Sequence, residues 1–192
     1  MKAMKDDVLK VLLSEQEIKE KICEIGAKIT EDYKEKELIV ISVLKGSVVF
    51  LVDLMRAIDL FSEIDFMVVS SFDGVVSTGV VRIIKDLSIS IENKDILIVE
   101  DILDSGKTLE YISTILEGRN PNSIKICTLL DKPSRRMTDI HADYTGFEVP
   151  DEYVVGYGLD YNEKYRNLPY IGVLKPEIYT TKDSEILGIN RK

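Results

Sequence analysis

Residues Asp95 to Thr108 read DILIVEDILDSGKT, and this stretch decides the fold. Ile96 to Val99 is an apolar run too short for a helix and right for a buried parallel strand. It meets two adjacent acids, Glu100 and Asp101, where such a strand is expected to end. Asp104 follows, and then Ser105, Gly106, Lys107 and Thr108 lead into a helical pattern. In open α/β sheets, ligands gather outside the carboxyl ends of the strands. A small Gly-containing loop that opens a helix presents backbone N–H groups to an anion. The segment therefore offers a phosphate cradle beside three carboxylates, which suits a phosphorylated sugar bound with a divalent cation.

The stretch has two plainer readings. The triplet Gly106-Lys107-Thr108 suggests a nucleotide-triphosphate loop, but that motif needs a second glycine five residues earlier. Asp101 stands there, so the motif fails. A polar strand-to-helix turn without chemistry is the other reading, since Ser and Thr often cap helices. Three carboxylates within five residues repel one another unless a cation or ligand offsets them. That favours a functional loop.

Outward from this segment, strands and helices alternate. Ser14 to Glu17 forms a capping-box pattern, and Ile18, Ile22, Ile25, Ile29 and Tyr33 recur at helical spacing, so residues 15–33 are expected to be an amphipathic helix. Leu38 to Leu44 reads as a strand, SVVFLVDLMRAI as a second helix, and Ile64 to Val69 as another strand. Phe72 to Val80 has no core pattern, and β character resumes over Val81 to Ile84. Lys107 to Leu116 reads as a helix stopped by Gly118, Asn120 and Pro121, followed by a strand over Ile124 to Leu130. Such alternation implies an α/β fold with a mostly parallel sheet flanked by helices. From Tyr144 onward the pattern changes to short strands, turns and several tyrosines.

The segment over Ile96 to Thr108 resembles the phosphoribosyl-pyrophosphate signature of the type I phosphoribosyltransferases. Leu44-Lys45-Gly46-Ser47 resembles that family's pyrophosphate loop. Leu130-Asp131-Lys132-Pro133 and GFEVPDEYVVGYGLDYNEKYRNLPYIGVL, Gly146 to Leu174, resemble its hypoxanthine-guanine branch. The likeness runs from about Leu38 to Leu174. It implies one domain over 1–192, with a core over about 15–143 and a small C-terminal hood subdomain mainly over 144–192. It also implies transfer of a 5-phosphoribosyl group from phosphoribosyl pyrophosphate to N9 of a 6-oxopurine, in a homodimer or homotetramer, with Mg²⁺.

The resemblance assigns roles residue by residue. Glu100 and Asp101 would hold the ribose hydroxyls, directly or through Mg²⁺. Asp104 would be the catalytic group near purine N7. Ser105, Gly106, Lys107 and Thr108 would grip the 5-phosphate. Lys45, Gly46 and Arg166 would bind pyrophosphate, with a cis peptide often found before that lysine. Asp160 would hold the second metal. Lys132 would donate to purine O6, Tyr153 would stack on the base, and Val154 and Asp160 would contribute main-chain contacts. In the mobile loop the family's usual Ser-Tyr pair is here Ser71-Phe72, so a lid is expected that closes without the phenol hydroxyl.

Composition narrows the alternatives. Thirty-four acids against 25 bases give a net charge of −9, which disfavours nonspecific nucleic-acid binding and anionic membranes. A regulator that binds nucleic acid on the same fold needs a basic face, and a xanthine-preferring relative fits the Lys132 region poorly. Cys23 and Cys127 lie in apolar periodic segments without metal spacing, and are expected to be buried, reduced thiols of a cytoplasmic protein. His141, the sole histidine, has no candidate nucleophile beside it, which disfavours a Ser–His hydrolase.

Overall fold

A computed structural model describes residues 3–70 and 82–180. In chain order its elements are β1 (Val8–Leu13), α1 (Glu15–Asp32), β2 (Leu38–Leu44), α2 (Val48–Ala57), β3 (Ser62–Ser70), β4 (Arg82–Lys85), β5 (Asp95–Leu103), α3 (Lys107–Glu117), β6 (Ser123–Asp131), β7 (Tyr144–Glu148), β8 (Val154–Val155) and β9 (Ile171–Leu174). The larger sheet runs β4-β3-β2-β5-β6-β7, and a three-stranded sheet runs β1-β9-β8. All neighbours in the larger sheet are parallel except β3 and β4. The fold is thus α/β with a mostly parallel sheet, as the alternating pattern implies.

Side-chain alternation along the central strands explains why helices cover both faces. In β2, Leu38 and Val40 join the core beneath α1 and α2, while Ile39, Ile41 and Val43 join the core beneath α3. In β5, Leu97 and Val99 turn one way and Ile96 and Ile98 the other, all of them fully buried. Helix α1 begins at the capping box: Ser14 accepts from the Glu17 N–H, and the Glu17 carboxylate accepts from the Ser14 N–H at 2.8 Å. Its Ile18, Ile22, Ile25 and Ile29 face the core. Gly26 lets α1 lie against the end of α2, because a Cβ there would overlap the Ala57 backbone.

Two expectations need correction. The first strand-ending acids do not end β5: Glu100, Ile102 and Leu103 stay in register with Thr128, Leu130 and Asp131 of β6, so the ladder continues to Leu103. Strand β7, which begins at Tyr144, pairs with β6 in the larger sheet. The small sheet instead takes β1 from the N-terminal end, pairing Val11 with Gly172 and Leu13 with Ile171 of β9. Cys23 is exposed on the outer side of α1, and only Cys127 is buried. The β character expected over Val81 to Ile84 is present as Arg82–Lys85, and Val81 lies outside the described residues. The expected lid residues Ser71 and Phe72 lie outside the described residues.

Candidate active site

Helix α3 opens at Gly106, whose φ of +86° is a left-handed conformation that favours glycine. Space demands glycine as well: a Cβ at 106 would overlap Thr138 and lie 2.8 Å from Ile140 Cγ2. The first N–H groups of α3 have no intrahelical partner, and the helix dipole points its positive end at the same place. A cavity of about 110 Å³ lies in front of this turn, lined by Glu100, Ile102, Asp104, Ser105, Gly106, Thr108 and Leu109. The Glu100 and Asp104 carboxylates therefore share one cavity with the phosphate cradle, and Asp101 does not line it. Lys107 is exposed and does not line it.

Glu100 is the unusual acid. Its Oε2 is buried without a hydrogen-bond partner. Burial, and then the neighbouring Asp101 charge, pushes its carboxyl well above the usual range. Burial also raises the Asp101 carboxyl, against the pull of hydrogen bonds and of the Arg166 charge. Asp101 meets the turn after β2, where the Leu44–Lys45 peptide bond is cis. There Gly46 lies so near that a Cβ would come 2.8 Å from the Asp101 Cγ.

The turn after β2 is gripped from the other side by the segment following β8. A Cβ on Gly158, whose φ is +99°, would overlap the Gly46 carbonyl oxygen. Arg166 donates to the Gly158 carbonyl at 2.8 Å and pairs with Asp160 at 3.0 Å and Glu163 at 3.2 Å. Glu163 also pairs with Lys45 at 3.3 Å. Asp101, Gly46, Gly158 and Arg166 thus form one contact chain from β5 to the small sheet's loop.

The remaining candidates lie at the end of β6. Lys132 is 6% exposed and donates to the Glu152 carbonyl at 2.7 Å. Its burial holds the ammonium below the usual lysine range, against the charges of Asp104 and Asp151. Asp104 lies 2.9 Å from Arg135 Nε, and Arg135 reaches Asp151 at 3.1 Å. Tyr153 is 40% exposed at the start of β8, and Val154 is buried in the β8–β9 ladder opposite Val173.

Three participants were not read from the sequence. Arg135 contacts Asp104, Glu163 joins Lys45 to Arg166, and Ile102 lines the cavity between the acids. Arg135 was findable in principle, because Arg135 and Arg136 follow Lys132 within one short turn. Glu163 and Ile102 carry no spacing signal of their own.

A Mg²⁺ ion prefers oxygen ligands and keeps several waters, binding through one or two carboxylates plus substrate phosphates. No group of three potential ligands converges among the described residues. The buried, unpartnered Glu100 Oε2 beside Asp101 still fits a site completed by substrate oxygens.

Comparison with known proteins points to one family. A model of the phosphoribosyl transferase domain matches residues 9–162. The chain is 58% identical over 177 residues to the hypoxanthine-guanine phosphoribosyltransferase of Bacillus subtilis, covering 92% of this chain and 98% of that protein. It is 54% identical over 179 residues to the bifunctional protein TilS/HprT of Listeria monocytogenes, covering 93% of this chain but only 28% of that longer protein. The crystal structure of a hypoxanthine phosphoribosyltransferase from Staphylococcus aureus superposes with a TM-score of 0.89 at 56% identity, over 92% of this chain and 97% of that one.

Proposed function

Because the chain belongs to the phosphoribosyltransferase family, we propose that it transfers the 5-phosphoribosyl group of phosphoribosyl pyrophosphate to N9 of hypoxanthine or guanine. The products are IMP or GMP and pyrophosphate, a purine-salvage reaction. The observation that carries this reading is the joining of three segments: the acid pair of β5, the Lys45-Gly46 turn, and the Asp160–Arg166 loop. In this reading the acid pair takes the ribose hydroxyls, the turn takes pyrophosphate, and the loop gives Arg166 to pyrophosphate and Asp160 to the edge of the base.

In the reaction N9 forms a bond to the anomeric carbon while the bond to pyrophosphate oxygen breaks, and the leaving group keeps the electron pair. Positive charge builds on the ribose and negative charge on pyrophosphate. Preorganised groups stabilise both charges best when water is excluded. The Ser105–Thr108 turn holds the 5-phosphate through N–H groups and hydroxyls, and fixes the ribose over Glu100 and Asp101. Lys45, the Gly46 amide and Arg166 face pyrophosphate. Asp104 is read as the group that takes the proton lost from the purine, or stabilises the charge there. Mg²⁺ held through Glu100 and Asp101, and a second ion held through Asp160, would supply positive charge to the leaving group.

On the base, Lys132 donates to O6, which favours 6-oxo over 6-amino purines. Tyr153 stacks on the ring, and the main chain at Val154 and Asp160 meets the pyrimidine edge. Self-association into a homodimer or homotetramer belongs to the same reading, since Phe61, Ile64 and Ile84 stand exposed and offer apolar surface to cover. The chain is read as cytoplasmic, and no described helix is long and apolar enough to cross a membrane. The test is formation of IMP from hypoxanthine and phosphoribosyl pyrophosphate, with Mg²⁺ and with excess chelator. Product only in the presence of Mg²⁺ supports the reading, and no product in either condition overturns it.

A further inference from the structure

The turn from β2 to α2 consists of Lys45, Gly46 and Ser47, and two buried serines hold it. Ser42 lies within the apolar run of β2, where the period of two puts it on the same face as Leu38 and Val40, toward α1 and α2. Ser47 is the N-cap of α2. Both serines are fully buried. The Ser47 hydroxyl donates to the Val43 carbonyl at 2.5 Å, and the two hydroxyl oxygens lie 2.7 Å apart. A hydroxyl has one proton to give. Since Ser47 gives its proton to Val43, Ser42 is the donor between the two, and the bonds run in a chain from Ser42 to Ser47 to Val43. Other support for the turn is thin. Strand β2 stays in register with β3 to Leu44 but with β5 only to Ser42, so its last part is held from one side. At the start of α2 the Val48 N–H donates to the Lys45 carbonyl at 3.3 Å, a long bond.

We infer that Ser42 and Ser47 are positioning residues for pyrophosphate: their hydroxyl chain fixes the Lys45-Gly46 turn to the end of β2. The inference rests on the reading of that turn as the pyrophosphate site. Backbone amides stabilise an anion best when they are already aimed at it, because ordering them during binding costs affinity. Gly46 has no side chain with which to stiffen the turn. Its close neighbours Asp101 and Gly158 limit where it can move but do not tie it down. Ser47, the next residue, does so through its hydroxyl. A buried hydroxyl is unfavourable unless it is bonded, so a serine at position 42, inside a strand of Leu, Ile and Val, is explained by its bond to Ser47. Neither side chain reaches solvent, so both act on the ligand through the turn.

Calorimetric titration with pyrophosphate and, separately, with IMP, each with Mg²⁺, tests this on wild type, Ser42→Ala, Ser47→Ala and the double variant. IMP carries the base, ribose and 5-phosphate but no pyrophosphate. Ser47→Ala should weaken pyrophosphate binding about three- to tenfold, the size of one lost hydrogen bond, and leave IMP binding within twofold. Ser42→Ala should show the same selective loss. Because the two hydroxyls act in one chain, the double variant should bind pyrophosphate no more weakly than Ser47→Ala. Ser113→Ala, which removes a buried hydroxyl without a partner from α3, should move neither ligand. If Ser47→Ala unfolds, Ser47→Cys keeps a side chain of similar size with a weaker donor, and should show the same selectivity. Unchanged pyrophosphate affinity in Ser47→Ala overturns the inference, as does an equal loss for IMP. Additive losses in the double variant, or an equal loss in Ser113→Ala, overturn it as well. Wild type that binds IMP without pyrophosphate, or binds neither, would defeat the parent reading of the turn instead.

Discussion

Gly46 and Asp101 lie in such close contact that a Cβ on Gly46 would come 2.8 Å from the Asp101 Cγ. Gly158 presses on the same turn from the opposite side. The turn after β2 is therefore fitted between an acid and a backbone, with no volume for a side chain. Gly46→Ala must displace either the turn or the Asp101 carboxylate. A misplacement of about 1 Å in a site of this kind costs on the order of 10²-fold in rate. We expect kcat/KM for phosphoribosyl pyrophosphate to fall by about that much, read in a steady-state assay. A fall of less than threefold would show that the turn yields without consequence.

Glu100 carries the pH dependence. Its folded-state pKa lies well above its ordinary value, because burial and then the Asp101 charge disfavour ionisation. The group's contribution to stability is thus fully present below its unfolded pKa, about 4.3. It is lost as pH rises through the raised folded value. Glu100→Gln should gain nothing near pH 4 and be more stable than wild type above neutrality, by about 1 kcal/mol or roughly 2–4 °C in Tm, while turnover falls. Equal Tm differences at pH 4 and pH 8 would contradict this.

Gly106→Ala should destabilise the ligand-free protein. A left-handed residue with a Cβ costs about 1–2 kcal/mol, and contact with Thr138 and Ile140 adds to it. A Tm lowered by at least about 3 °C and weakened phosphoribosyl pyrophosphate binding are the expected pair, from thermal melts and calorimetric titration. Unchanged binding would remove the turn from the phosphate cradle.

Asp104→Asn leaves the side chain's shape and removes its charge, so Tm should move little. Proton transfer by a positioned group contributes about 10²–10⁴-fold, and kcat should fall within that range in single-turnover measurements. A kcat within threefold of wild type would leave Asp104 a partner of Arg135 and nothing more.

The fold was legible where local patterns and tertiary contacts coincide. The capping box at Ser14 and the isoleucine spacing of α1 mark a helix that is there, and the apolar runs of β2 and β5 mark strands buried on both faces. Strand β1 was not legible. Its Leu9 and Val11 are exposed and its partner β9 lies some 160 residues away, so neither alternation nor a hairpin turn announces it. Likewise β5 outruns its apolar stretch because Ile102 and Leu103 stay hydrogen-bonded in register with β6, a long-range pairing invisible in DILIVEDIL. In the site, the acids and the Gly106 turn are contiguous in sequence and were readable. The Arg135–Asp104 pair and the Tyr153–Tyr179 stack join residues 31 and 26 positions apart through space alone.

The most direct measurement is pyrophosphate release with phosphoribosyl pyrophosphate and Mg²⁺, offering hypoxanthine, guanine, xanthine, adenine and uracil in turn to wild type and to Lys132→Ala. Release with hypoxanthine or guanine, little with adenine or uracil, and loss of that preference in Lys132→Ala is the expected result. Release with adenine equal to that with hypoxanthine, or no release with any base, would contradict a 6-oxopurine phosphoribosyltransferase.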